Sequence, residues 1–129
     1  MNLLVAGVEG DIGFLRFVAG QHQDALRAYT QARQRFENLN LPHDVAQCDR
    51  EAADVYLDLN LIPEARETYE RVLPVFREQH STAEAARSDF GLAAALFRQG
   101  DYGAAFGALD RAEAAFQREG NTIAAARVQ

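Results

Sequence analysis

The sequence has no lysine, no tryptophan, one cysteine, three prolines and no long apolar run. One cysteine excludes an internal disulfide and leaves too few thiolates for a structural zinc site. Without about 18 consecutive apolar residues, a membrane-spanning helix is not expected. Every cationic side chain is an arginine; 13 of them face 19 carboxylates, for a net charge of −6. That sign disfavours bulk attraction to nucleic acid or anionic lipid. The apolar start, Met1 to Ala6, has no basic residue before it and runs into Glu9 and Asp11, so no secretory signal is expected and the location is read as cytoplasmic. The strict alternation of a strand is absent.

What is present is self-similarity. Among 129 residues, 48% apolar and 25% charged, Gly20, Asn60 and Gly100 recur at intervals of 40. So do Ala25, Ala65 and Ala105; Tyr29, Tyr69 and Leu109; Ala32, Val72 and Ala112; and Phe36, Phe76 and Phe116. Upstream, Val5, Val45 and Ala85 align, as do Ile12, Ala52 and Leu92. The pattern predicts one array over residues 1–129, with units 1–40, 41–80 and 81–120 and a partial fourth unit at 121–129.

Each unit reads as two helices. Val45, Cys48, Ala52, Val55 and Leu59 step by three and four, as do Ala65, Tyr69, Val72 and Phe76. Those steps keep one apolar stripe on one helix face. Gly, Asn and Gly between the helices accept the left-handed backbone that ends a helix, and Asp101 can cap the next one. Two small-residue columns, Gly13/Ala53/Ala93 and Ala25/Ala65/Ala105, let paired helices approach closely. The Phe36/Phe76/Phe116 column fills space between units. Arg16 stands where other units have Tyr56 and Leu96, so looser packing is expected in unit one. Pro63, near a helix start, is harmless, whereas Pro74 lies inside a helix and predicts a kink near Glu70.

The run Leu92-Ala93-Ala94-Ala95-Leu96-Phe97-Arg98-Gln99-Gly100-Asp101-Tyr102-Gly103-Ala104-Ala105 resembles a tetratricopeptide repeat, in a variant with a period near 40 rather than roughly 34. The resemblance implies an all-α fold: a right-handed superhelical α-solenoid of antiparallel helix pairs, with about six full helices and the start of a seventh. It also implies a concave groove lined by the first helix of each unit. Groove positions of the family match Phe14 and Phe17 in unit one, Arg50 and Asp54 in unit two, and Arg87, Phe90, Phe97 and Arg98 in unit three. Aromatic anchors beside arginines suit a peptide or helical ligand with an apolar side chain and some acidic character. Phe17, Leu57 and Phe97 share one column, which equally fits packing, and the arginines equally fit pairing with Asp54, Asp58 and Asp89. Family members that clamp a chaperone tail use asparagines where this chain has Phe14, Asp54 and Ala94, so that ligand is not expected.

Chemistry is sparse. His22, His43 and His80 are scattered near helix ends without a partner at metal-ligand spacing. Cys48 shares a column with Val8 and Ser88, which reads as a packed thiol. Glu67 and Arg71 make an ordinary surface pair, and the glycines from Gly100 to Gly107 lack a phosphate-loop lysine. No enzyme, cofactor or metal is expected. The expected function is a protein-interaction scaffold, part of a larger bacterial protein. Arginine without lysine and 24 alanines fit a GC-rich bacterial gene. Similar repeats in large bacterial proteins suggest an alternative: a regulatory or sensor region of a CHAT-type peptidase or of a transcription regulator. Phe116, Ile123 and Val128 at one end, and Leu3, Leu4, Val5 and Val8 at the other, are expected to be uncovered and open to self-association.

Overall fold

The computed structural model describes the backbone of residues 3–128 and the side chains of residues 3–120. Six helices follow in order: α1 Leu3–Val18, α2 His22–Asn38, α3 Pro42–Asp58, α4 Ile62–Glu78, α5 Thr82–Arg98 and α6 Tyr102–Val128. Each packs against its neighbours in sequence, and α3 also touches α1 and α5. The result is an α-solenoid of helix pairs, with the first helix of each unit along one face.

The junctions explain the spacing. Gly20, Asn40, Asn60, His80 and Gly100 all take positive φ, between 55° and 82°. After each, one amide reaches back five residues: Gln21 to Arg16, Leu41 to Phe36, Leu61 to Tyr56, Ser81 to Phe76 and Asp101 to Leu96, at 2.8–3.1 Å. These bonds satisfy carbonyls that a helix end leaves open. The same turn therefore recurs every 20 residues, at twice the frequency of the sequence repeat. Pro42 and Pro63 sit in the first turns of α3 and α4, where no intrahelical N–H is needed. The α4 helix runs on through Pro74 to Glu78.

The small columns are buried as expected. Ala25, Ala53 and Ala65 have no exposed surface, and Ala93 and Ala105 little. At Gly13 an added Cβ would stand 2.8 Å from the Tyr29 ring, so this position admits no side chain while the ring stays in place. Tyr69, Leu73, Leu92 and Leu96 tie α4 to α5 around Ala53, Ala65 and Ala108. Phe36 and Phe76 are buried, whereas Phe116 is 46% exposed. Helix α1, which among the described residues packs against α2 and α3 alone, buries Ala6 and Gly13, while α5, between α4 and α6, buries nine residues.

A carboxylate column, Glu9, Asp49 and Asp89, also recurs. Glu9 accepts from Arg35 at 2.8 Å, Asp49 from Arg33 at 2.8 Å, and Asp89 meets Arg77 and Arg111 at 3.3 Å. Asp89 is thus held by arginines of α4 and α6, not by the groove arginines.

The seventh helix expected from Asn121 does not form. Helix α6 continues without a turn to Val128, and Gly120 is not among the positive-φ residues. Glycine permits a left-handed turn without requiring one. Ile123 and Val128 lie outside the described side chains.

Candidate partner-binding groove

The first helices of the three units, α1, α3 and α5, bring five of the eight expected groove residues to one cavity of about 580 Å³. Phe17, Arg50, Asp54, Arg87 and Phe90 line it, with Leu57, Ala94 and Phe116. The spacing explains the convergence. Arg50, Asp54 and Leu57 lie on one face of α3, and Arg87, Phe90 and Ala94 on the facing side of α5. Phe90 is 59% exposed at the rim, while Phe17 is half-buried with its ring edge-on to His22 at 5.5 Å.

The other three residues lie elsewhere. Phe14 borders a neighbouring cavity of about 480 Å³ with Asp11, Asp44, Gln47 and Glu51. The exposed Phe97 ring packs edge-on against Tyr102 at 5.2 Å. Arg98 Nη1 donates to the Leu57 carbonyl at 2.9 Å. The column Phe17, Leu57 and Phe97 is therefore mixed: Phe17 and Leu57 join the packing around the core, and Phe97 does not.

Charge inside the groove is internally matched. Arg50 donates through Nη1 to Asp54 Oδ2 at 2.6 Å and through Nε to Glu84 Oε2 at 3.0 Å. Arg87 Nη1 meets the other Glu84 oxygen at 3.1 Å. The Tyr69 hydroxyl donates to Asp54 Oδ1. Of the pairings considered for the arginines, Arg50 with Asp54 forms, whereas Asp58 is taken by His22 at 2.5 Å. Both groove arginines are held by the chain's own carboxylates, so an acidic ligand finds no uncommitted cation there.

Burial pushes the Glu51 carboxyl up to about 7, with Glu84, Asp54 and Asp11 adding repulsion against the pull of Arg50. Burial also raises Asp54, and it raises the Tyr69 phenol beyond its usual range. The Cys48 thiol is pushed up to about 12 by burial and nearby carboxylates, which leaves it a poor nucleophile. Among the described residues, no group of three or more His, Cys, Asp or Glu could hold a metal ion. No described helix is long and apolar enough to cross a membrane.

Sequence reasoning missed Glu84, Tyr69 and Phe116 as groove residues. Glu84 lies 34 positions from Arg50, and no spacing along one helix signals that pair. Tyr69 had been assigned wholly to packing, although its hydroxyl reaches Asp54.

Two tetratricopeptide repeat models match the sequence, over residues 4–78 and 50–120. No curated protein matches it. Among solved structures, BtubC (BKLC) from P. vanneervenii is similar at a TM-score of 0.80 and 20% identity, over 90% of this chain and 48% of that one. Aspartyl phosphate phosphatase F from Bacillus subtilis is similar at a TM-score of 0.82 and 16% identity, over 89% of this chain and 30% of that one. The chain thus spans about half the length of the first and under a third of the second. At these identities the likeness is one of fold.

Proposed function

The chain belongs to the tetratricopeptide repeat family, and from that premise we propose that its groove holds one apolar side chain of a peptide or helical partner segment. The observation that carries this reading is the cavity of about 580 Å³ between α3 and α5, with Phe90 at its rim and Phe17 and Leu57 in its wall. An apolar anchor placed there covers exposed aromatic surface and leaves no charge unpaired. Recognition rests on shape and apolar burial, because Arg50 and Arg87 are already matched by Glu84 and Asp54. Such anchors dominate the energetics of protein interfaces.

Selection of random 14-residue peptides by display against the folded chain tests the proposal. Enriched peptides should share one large apolar residue, and Phe90→Ala should weaken them roughly tenfold or more. Charge-driven enrichment without an apolar anchor, or equal binding to Phe90→Ala, contradicts it. The same reading extends to the ends. Leu4, Val8, Ile12 and Leu15 form an exposed apolar stripe on α1, and Phe116 is exposed on α6. We expect self-association through these surfaces, seen as a concentration-dependent sedimentation coefficient. A monomer at every concentration contradicts that extension.

A further inference from the structure

We propose that copies of this chain join head to tail, α1 of one copy lying against α5 and α6 of another in the register that α5 keeps against α3 and α4. The proposal rests on the self-association read above and adds which face meets which.

The chain makes this joint twice within itself. Helix α3 lies against α2, and α5 against α4. At the first joint, Phe36 of α2 packs with Cys48 of α3, and Tyr29 with Val55. At the second, Tyr69 and Leu73 of α4 pack with Leu92 and Leu96 of α5, and Phe76 packs with Ala85. Both halves of a third joint lie on the surface. Tyr102, Phe106, Leu109 and Phe116 of α6 stand in the columns of Ile62, Arg66, Tyr69 and Phe76. They are 38–60% exposed, whereas Ile62, Tyr69 and Phe76 are buried. On α1, Val8, Ile12 and Leu15 stand in the columns of Ser88, Leu92 and Ala95. They are 43–65% exposed, whereas those α5 residues are buried. The two open faces are opposite sides of one repeated contact. They fit each other rather than themselves, which makes the contact heterologous.

The carboxylate column is incomplete at the same end. Asp49 is held by Arg33 of the preceding α2 and by Arg71 of the following α4. Asp89 likewise lies between Arg77 of α4 and Arg111 of α6. Glu9 is held by Arg35 of the following α2, and its Oε2 is buried without a hydrogen-bond partner among the described residues. Across the joint, Gln117 of the other copy, in the column of Arg77, comes to the side of Glu9 from which the preceding helix reaches Asp49 and Asp89.

Three columns depart from the joint between α4 and α5. Glu113 replaces Leu73, Arg16 replaces Leu96 and Asp11 replaces Gly91. Leu109, shorter than Tyr69, leaves space for Asp11. Covering these charges costs free energy, so the joint between copies is weaker than the internal one and reversible.

Sedimentation equilibrium of the parent, of Ile12→Glu, of Phe106→Glu and of the two variants mixed tests the joint. Both positions are exposed, so helicity and melting temperature should match the parent. The parent's average mass should rise past two chains with concentration. Each variant alone should be monomeric, because one has lost the α1 face and the other the α6 face. Mixed in equal amounts, they should form two-chain species and nothing larger. Glu113→Leu, which restores the column residue, should assemble at a concentration roughly tenfold lower. A parent that is monomeric at every concentration overturns the proposal together with the self-association it rests on. A parent that stops at two chains, a single variant that still dimerises, or a mixture that stays monomeric overturns the head-to-tail joint alone. Neither Ile12 nor Phe106 lines the groove, so the peptide reading is judged separately.

Discussion

Replacing Gly91 by alanine separates the packing account from helix propensity, because the two demand opposite signs. Alanine is favoured over glycine inside a helix by roughly 0.5–1 kcal/mol, so propensity predicts a gain. The structure predicts a loss. A Cβ at position 91 would stand 2.3 Å from Tyr69 Cζ and 2.6 Å from its hydroxyl oxygen. The ring has no exposed surface, and its hydroxyl is bonded to Asp54, which Arg50 holds in turn. Either the ring moves and the bond to a charged acceptor breaks, or α5 lifts from α4. Overpacking costs about 1–3 kcal/mol, and the lost bond adds about 1.5–3 kcal/mol. Net of the propensity gain, Gly91→Ala should destabilise the chain by about 2–4 kcal/mol. Gly10→Ala is the control: nothing lies within 4 Å of its Cβ position, so it should be neutral or stabilising. Urea unfolding followed by circular dichroism measures both. The double variant Tyr69→Leu with Gly91→Ala, which places at 69 the residue that unit three has at 109, should recover at least about 1 kcal/mol relative to additivity. A Gly91→Ala chain as stable as the parent refutes the argument.

Further expectations follow from burial and charge. Because the Glu51 carboxyl is raised from 4.5 to about 7, the folded chain holds that proton more tightly than the unfolded one; stability should fall as pH rises from about 4.5 to 7. The shift corresponds to about 3 kcal/mol, and Glu51→Gln should flatten that part of the pH profile in urea unfolding; a parent profile already flat there rejects it. Phe76→Ala should cost about 3–5 kcal/mol, since Phe76 has no exposed surface, whereas Phe116→Ala, at a ring 46% exposed, should cost less than about 1.5 kcal/mol; equal losses in thermal melts contradict the burial pattern. His80→Gly should raise stability by about 0.5–1 kcal/mol, because His80 holds a φ of 55° that glycine adopts without strain; a fall in the melting temperature contradicts this.

The sequence made the helix pairs legible through columns of alanine, glycine and phenylalanine, since packing repeats wherever the register repeats. It hid the half-period. Asn40 and His80 make the same turn as Gly20 and Gly100, but an ordinary side chain at position 80 does not announce a left-handed residue. Gly120 misled in the other direction. It stands in the turn column, yet α6 continues through it, because glycine permits a left-handed turn without requiring one. Phe90, Arg87, Arg50 and Asp54 line one cavity, at positions that only the family resemblance implied. The neutralisation of both arginines by Glu84 was not legible, because it depends on how α3 and α5 face each other.

The most direct test of the central claim, that the concave face of this tetratricopeptide repeat array is a partner-binding surface, is an amide-shift map of the labelled chain with a display-selected peptide. The account predicts shifts clustered at Arg50, Asp54, Leu57, Phe90 and Ala94, lost in Phe90→Ala. Shifts confined to α2 and α4, with the groove amides unmoved, would contradict it.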